Sequence, residues 1–194
     1  MPAPRRHVGR PRMDEVCRDE GSAEKRTPEV HAFIERFMKS EAGAHASAEN
    51  IVIDAFGDGE SVQMADELLA LVLAGTKTAT CMSAWSWDQE FEAPLVPGML
   101  SVILDGAKAP RCVVETISVT RVAYQDVTSD FARAEGEHTP SDLDDASVLK
   151  QWRSDHWAFY EKTLPLIGRK PSQDMPVLCE RFRVIYREAP KPLD

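Results

Sequence analysis

Apolar positions along the chain recur at two spacings, which predict helices and strands in a mixed order. Apolar residues three and four apart predict a helix from Pro28 to a stop at Gly43, and further helices near residues 60–74, 126–134 and 146–163. Alternating or short continuous apolar runs predict strands over residues 51–53, 76–81, 99–104, 112–122 and 177–186. Strands follow one another through hairpin-length turns, without regular alternation of strand and helix. This order therefore predicts an α+β fold with mostly antiparallel strands.

Residues with strong local preferences mark several predicted boundaries. Pro28 suits the first turn of a helix, Asp58 can cap the second helix, and Gly75 stands where a glycine usually ends one. A turn is predicted at Asp105-Gly106. The stretch from Trp85 to Pro97 holds two tryptophans and two prolines and is predicted to be a loop.

The two ends of the chain differ in composition from the middle. The first twelve residues carry four arginines and three prolines, and a polar stretch with little to bury follows them. Residues 1–28 are therefore predicted to form a disordered basic and polar leader. Residues 29–188 are predicted to form a single domain, and residues 189–194 a short tail.

Composition and charge narrow the possible function classes. The chain has 194 residues, of which 43% are hydrophobic, and no apolar run reaches the length of ~18 residues that a membrane helix needs. We expect a cytoplasmic protein without a membrane partner. The net charge of −9 disfavours binding along duplex DNA and favours a short single strand or a nucleoside held in a local cleft. It indicates nothing about the oligomeric state.

The four cysteines are widely spaced and form no Cys-x-x-Cys pair or Cys/His cluster. Neither a zinc site nor a disulfide framework is predicted, and no cofactor is expected.

A lysine and a threonine follow the predicted end of the second helix, in the run GTKTAT (residues 75–80). The run is not a phosphate-binding loop, because the upstream glycine is absent and the order is helix to strand. A partly buried lysine can act as a base, and a threonine beside it as a nucleophile, so Lys77 and Thr80 are candidate catalytic residues. Alternatively, Lys77 is solvated and Thr80 is only a good strand residue.

Two further stretches could contribute to a site. The run AEGEH brings Glu135 and Glu137 close together, where they could orient a base or bind an amine, unless they belong to a plain charged loop. On the last predicted helix, Trp152, Arg153 and His156 could stack a base and hold a phosphate. Such a stripe could equally pack the helix onto the sheet. Trp85 is open to the same two interpretations, as a ligand-binding lid or as part of the core rim.

The order of these stretches resembles an ASCH domain. The similarity begins with FGD…ADELLALVLAGTKTAT (residues 56–80) and continues through PLVPGMLSVILDGAKAPRCVVETISVTRV, ARAEGEH, SVLKQWRSDHWAFY and VLCERFRVIY. The resemblance implies a PUA-like fold, which is a small β-barrel surrounded by helices, with a cleft on one side. The family is generally associated with RNA. The extra N-terminal helix and the long tryptophan-containing helix are similar to the longer branch of the family.

The resemblance also implies a site. One member type is similar to a ribonuclease, and another removes the acetyl group from N4-acetylcytidine with a lysine, a threonine three residues later and a downstream glutamate. Lys77, Thr80 and Glu137 match those three positions, with Glu135 as a second possibility for the glutamate. The expected function is metal-independent hydrolysis of RNA or of a modified nucleoside. The alternative is a non-catalytic RNA-binding module.

Overall fold

The computed structural model describes residues 25–91, 93–137 and 143–188. The α-helices are α1 (Pro28–Met38), α2 (Val62–Ala74), α3 (Ala84–Glu90), α4 (Ser129–Glu135) and α5 (Asp145–Thr163). The strands are β1 (Ile51–Asp54), β2 (Ala79–Ser83), β3 (Leu100–Leu104), β4 (Pro110–Ala123) and β5 (Pro176–Arg187). Three short 3₁₀ turns span Ala48–Asn50, Tyr124–Asp126 and Leu164–Ile167. None of the described helices is both long enough and apolar enough to cross a membrane.

The strands form one mixed sheet in the order β1-β3-β4-β5-β2. Strands β1 and β3 run parallel, and the other neighbours are antiparallel, which confirms the predicted α+β class. The predicted turn at Asp105 joins β3 to β4, where the Asp105 amide donates to Ala109 O. Strand β4 shifts register against β5 between Val113 and Val114 and again between Thr116 and Ser118. Such irregularities increase strand twist, so the long β4–β5 pair bends.

The predicted closed barrel is wrong, because β1 and β2 lie at opposite edges and the described strands form an open sheet. A helix covers the space between these edges. Trp87 of α3 shares a hydrophobic cluster with Val52 of β1, and Met82 of β2 packs against that cluster. The edges are therefore joined through side-chain packing and not through strand hydrogen bonds.

Helix α3 lies in the segment that was predicted to be a loop. Ser83 caps it by accepting a hydrogen bond from the Trp85 amide at 3.2 Å. The Trp87 indole donates to Ala93 O at 2.8 Å, so the buried ring has its polar atom satisfied. A helix of seven residues is too short to produce a clear apolar period in the sequence, and this is why it was missed.

Helices pack on both faces of the sheet. On one face, α1 covers the half around β1 and β3, while α4 and α5 cover the half around β2 and β5. On the other face, α2 packs against β3, β4 and β5, and α3 packs beside β1, β2 and β5. Side chains that point from β2 and β5 toward the second face therefore lie between two apolar clusters.

Two predicted boundaries change in the structure. Ser61, and not Asp58, caps α2 by accepting from the Met64 amide at 3.2 Å, while Asp58 accepts from the amides of Glu60 and Ser61. At the other boundary, Arg26 donates to Ile51 O at 2.8 Å, so contacts with the domain begin within the stretch predicted as leader. Residues 1–24 and 189–194 lie outside the described part of the chain.

Candidate functional site

The turn between α2 and β2 places Lys77 in the interior. Gly75 ends α2 in the left-handed conformation, with φ of 76°, which glycine adopts without steric cost. The amides of Thr76 and Lys77 both donate to Leu71 O, at 2.9 and 3.1 Å. This tight turn delays β2 until Ala79, later than predicted, and leaves Lys77 only 2% exposed.

The two predicted loop motifs meet at this turn. Thr78 donates its amide to Ala134 O at 2.8 Å, which joins the start of β2 to the end of α4. Gly136 ends α4 with φ of 75°, and a Cβ atom there would lie 2.7 Å from Thr76 O. The approach of the two backbones therefore requires glycine at this position.

This approach pairs Lys77 with Glu137. Lys77 Nζ lies 2.5 Å from Glu137 Oε1, across 60 positions of sequence. Glu137 is 23% exposed, so the salt bridge is open to solvent on the carboxylate side. Lys77 Nζ also lies 5.6 Å from the centre of the Phe56 ring, which stacks on Phe182. Phe56 was not among the predicted site residues.

Glu135 is fully buried behind this salt bridge. Its Oε2 accepts from Trp152 Nε1 and contacts His156 Nε2, each at 3.1 Å. Burial acts to raise the pKa of Glu135, but the charges of His156 and Lys77, with the hydrogen bonds from His156 and Trp152, hold that pKa below its ordinary value. Its other oxygen, Oε1, is buried without a hydrogen-bond partner in the structure.

Helix α5 supplies the partners of Glu135. Trp152 and His156 lie one turn apart, with ring centroids 4.0 Å apart and nearly parallel planes. His156 Nδ1 lies 3.1 Å from Trp152 O, and since a carbonyl only accepts, Nδ1 carries a proton there. Trp152 is fully buried against Tyr124, so its ring faces are unavailable for stacking on a base. Trp152 and His156 instead hold Glu135 in place.

The remaining predicted ligand-binding residues lie elsewhere. Arg153 donates to Gln125 O at 2.7 Å, beside the 3₁₀ turn that follows β4. The guanidinium of Arg169 lies 5.0 Å from the ring centre of Trp85, which packs at the edge of the α5 cluster. Within the described part of the chain, neither Arg153 nor Trp85 shares a hydrogen bond or ion pair with Lys77.

Thr80 points toward the opposite face of the sheet from Cys81, because successive strand residues alternate. Cys81 packs with the α5 cluster, where its thiol lies 3.6 Å from the Tyr160 hydroxyl. Thr80 is partly exposed and pairs across the strands with Glu180 of β5. The hydrogen bonds between described residues include none from Thr80 to Lys77. The structure thus brings Lys77 and Glu137 together and places Thr80 beside a different carboxyl group.

Glu180 is the polar residue that the sequence analysis missed. It is 8% exposed, and Thr116 Oγ1 donates to its Oε1 at 2.5 Å. Burial raises the pKa of Glu180 to about 7, with Thr116 opposing the shift and the Asp54 carboxylate adding to it. One signal was present in the sequence: a glutamate interrupts the apolar alternation of the last strand between Cys179 and Phe182.

An open groove of about 520 Å³ lies beside Lys77. The turn after α2 lines it through Gly75, Lys77 and Thr78, and β5 lines it through Phe182, Arg183 and Arg187. Each of the three cations at this groove has a partner within the protein: Glu137 for Lys77, Glu115 for Arg183 and Leu73 O for Arg187. An anionic ligand would compete with these partners. No group of three or more His, Cys, Asp or Glu side chains within the described ranges could hold a metal ion.

Comparison with known proteins identifies the family. The ASCH domain model matches residues 51–186, which is most of the chain. The chain belongs to the ASCH domain family. ASCH domains have a PUA-like fold and are generally associated with RNA binding.

Two solved structures share this fold over most of their length. A protein from Enterococcus faecalis V583 is 30% identical, with a TM-score of 0.67, over 80% of this chain and 87% of that one. The ASCH domain from Lactobacillus crispatus JV V101 is 25% identical, with a TM-score of 0.68, over 83% of this chain and 96% of that one. The search of curated proteins found no match.

Proposed function

We propose that this ASCH domain is a metal-independent hydrolase that acts on RNA or on a modified nucleoside, with Lys77, Glu137 and Thr80 in its active cleft. The Lys77–Glu137 salt bridge carries the proposal, because it is buried on the lysine side and borders an open groove. Removing charged groups from water costs several kcal/mol per ion, so structural needs alone rarely justify it. Buried ionisable groups beside a cleft are candidate functional sites.

Two hydrolytic reactions suit these residues. For an acylated nucleoside such as N4-acetylcytidine, the Thr80 hydroxyl attacks the amide carbonyl and Glu137 orients Lys77. For RNA, a base activates the ribose 2′-hydroxyl, and Lys77 stabilises the charge on the phosphate. Arg183 and Arg187 border the groove, where RNA phosphates would take the places of Glu115 and Leu73 O as their partners.

A parallel turnover assay without added metal tests the proposal, with N4-acetylcytidine and a short single-stranded RNA as substrates. We expect Lys77→Met and Glu137→Gln to lower turnover by roughly a hundredfold or more, because Lys77 acts at the reacting atoms and Glu137 positions it. Thr80→Val separates the reactions: it abolishes deacetylation and spares RNA cleavage. Lys150→Met and Thr120→Val, at exposed positions, are matched controls that retain full turnover.

The second candidate function is RNA binding without catalysis, which the basic residues at the groove favour. It predicts that RNA binds with an affinity that falls steeply with salt, while neither substrate is turned over at high protein concentration. That combination of results would contradict the hydrolase proposal.

A further inference from the structure

Thr80 and Glu180 face each other at the centre of the β2–β5 pair. The Phe182 amide donates to Thr78 O at 3.0 Å, so Thr78 and Phe182 form a hydrogen-bonded pair. Two residues further along, Thr80 and Glu180 occupy the next pair of that kind, with both side chains on the same face of the sheet. We infer that Glu180 is the base that accepts the proton of the Thr80 hydroxyl, while Lys77 stays in its salt bridge with Glu137. This inference rests on the proposed function, because it requires Thr80 to be the nucleophile.

The surroundings of Lys77 argue against a base at that position. Lys77 Nζ lies in a 2.5 Å salt bridge with Glu137, and the buried Glu135 carboxylate is close enough for its pKa to be affected by Lys77. An ammonium ion held by carboxylates has no lone pair to accept a proton. A fixed cation is suited instead to stabilise an oxygen on which negative charge develops.

The surroundings of Glu180 suit a base. Thr116 Oγ1 fixes its Oε1, and the hydrogen bonds between described residues leave Oε2 free for a second donor. The clusters on either side are apolar, with Leu69 and Val72 from α2 and Trp87 from α3. The carboxyl group titrates near neutral pH, where a general base is most effective.

The charged groups around Glu180 are few. Asp54 at the end of β1 adds negative charge, and Lys25 lies 3.8 Å from that carboxylate. On the neighbouring strands β2 and β4, the polar side chains at Glu180 are the hydroxyls of Thr80 and Thr116. Lys77, in the turn before β2, is engaged with Glu137.

For an amide substrate, the proposed reaction has two stages, which are acylation of Thr80 and hydrolysis of the acyl ester. As Thr80 Oγ bonds to the carbonyl carbon, its proton moves to Glu180, and the carbonyl oxygen becomes an oxyanion. The carbon–nitrogen bond then breaks, and Glu180 returns the proton to the leaving amine. Water attacks the acyl ester on Thr80, giving one proton to Glu180, which passes it to the departing Thr80 oxygen. The products are the amine and a carboxylic acid.

The pH dependence of turnover tests the assignment. We expect Glu180→Gln to lower kcat for N4-acetylcytidine by at least about a hundredfold and to remove the acidic limb of the rate profile. Thr116→Val removes a hydrogen bond that favours the ionised carboxylate, so it moves that limb to higher pH. Glu115→Gln is the matched control on β4 and keeps the wild-type profile. An unchanged acidic limb in Glu180→Gln would overturn the inference.

A second measurement does not depend on activity. In Thr80→Cys, the pH dependence of iodoacetamide alkylation at position 80, followed by peptide mass spectrometry, reports the charge beside that position. Adding Glu180→Gln removes a neighbouring negative charge and should shift the titration to lower pH by about one unit. No shift would overturn the inference. A shift without turnover of either substrate would support the Thr80–Glu180 coupling and overturn the proposed hydrolysis.

Discussion

Two buried glutamates lie on opposite faces of the same two strands, and their pKa values are shifted in opposite directions. Glu135 is fully buried, yet its pKa is lowered, because His156, Lys77 and Trp152 surround the carboxylate. Glu180 is almost as buried, and its pKa rises to about 7, because burial is opposed by only one hydrogen bond, from Thr116, and the Asp54 carboxylate adds to the shift. Depth alone therefore does not decide the charge of a buried carboxyl group; its neighbours do.

The comparison also separates two roles. The group around Glu135 is charged but compensated, which suits a rigid support for Lys77. The Glu180 carboxyl can gain and lose a proton near neutral pH, which suits proton transfer. One glutamate, Glu135, thus supports the Lys77 cation, while the other, Glu180, is suited to transfer a proton.

Removing the partner of Glu135 should have the largest effect on stability. His156→Leu leaves the buried Glu135 carboxylate without its closest partner on α5, so we expect the free energy of unfolding to fall by about 3 kcal/mol. Urea denaturation measures the change. Adding Glu135→Gln should recover most of the loss, whereas adding Glu180→Gln should not restore this interaction. If neither second substitution helped, the loss would come from packing and the ion pair would carry little energy.

The two glutamates should change the free energy of unfolding with pH in opposite directions. The raised pKa of Glu180 means that the folded protein keeps a proton which the unfolded chain releases above pH 4.5. The Glu180 carboxyl therefore lowers the free energy of unfolding by about 3 kcal/mol as the pH rises from 4.5 to 7. Glu180→Gln should remove this decrease.

Glu135 should change the free energy of unfolding with pH in the direction opposite to Glu180. Its lowered pKa contributes stability that is present above pH 4.5 and is lost as the pH falls through the folded-state value. Glu135→Gln should therefore flatten the acidic limb only. Denaturation of both variants from pH 3 to pH 8 measures the two slopes, and slopes of the same sign would contradict the comparison.

The smallest effect concerns the hydrogen bond at Glu180. Thr116→Val removes the donor to Oε1, so we expect the pKa of Glu180 to rise by about one unit and stability at neutral pH to fall by about 1 kcal/mol. Carbon-13 NMR of the glutamate carboxyl groups follows the titration directly. Thr120→Val, on the exposed part of β4, is the control and should leave that titration unchanged.

Much of the fold was predictable from local patterns. Helix α5 shows a long helical stretch, and the β3–β4 turn carries its usual residues, so both were predicted within a few positions. The family resemblance was confirmed by the ASCH match over residues 51–186. The open sheet was not predicted. Barrel closure depends on whether the edge strands β1 and β2 pair with each other, and the apolar pattern of a strand does not specify its partner.

The candidate site was predictable only in part. Lys77 and Glu137 were proposed together and do meet, because Gly75 permits the left-handed turn after α2 and Gly136 permits the close approach of the two backbones. Trp152 and His156 were expected to face a ligand, but in the structure they hold Glu135. An aromatic stripe looks the same in a sequence whether it packs inward or binds a base.

The sequence by itself determined four of the five described helices, most strands, the family and the two loops that carry Lys77 and Glu137. These follow from local periodicity, turn residues and motif order. The tertiary structure alone decided which side chain Thr80 faces. That choice depends on the register between β2 and β5, which pairs residues 100 positions apart (Thr80 with Glu180). A shift of one residue would turn Thr80 to the other face of the sheet. Register is set by packing over the whole sheet, so no local pattern contains it.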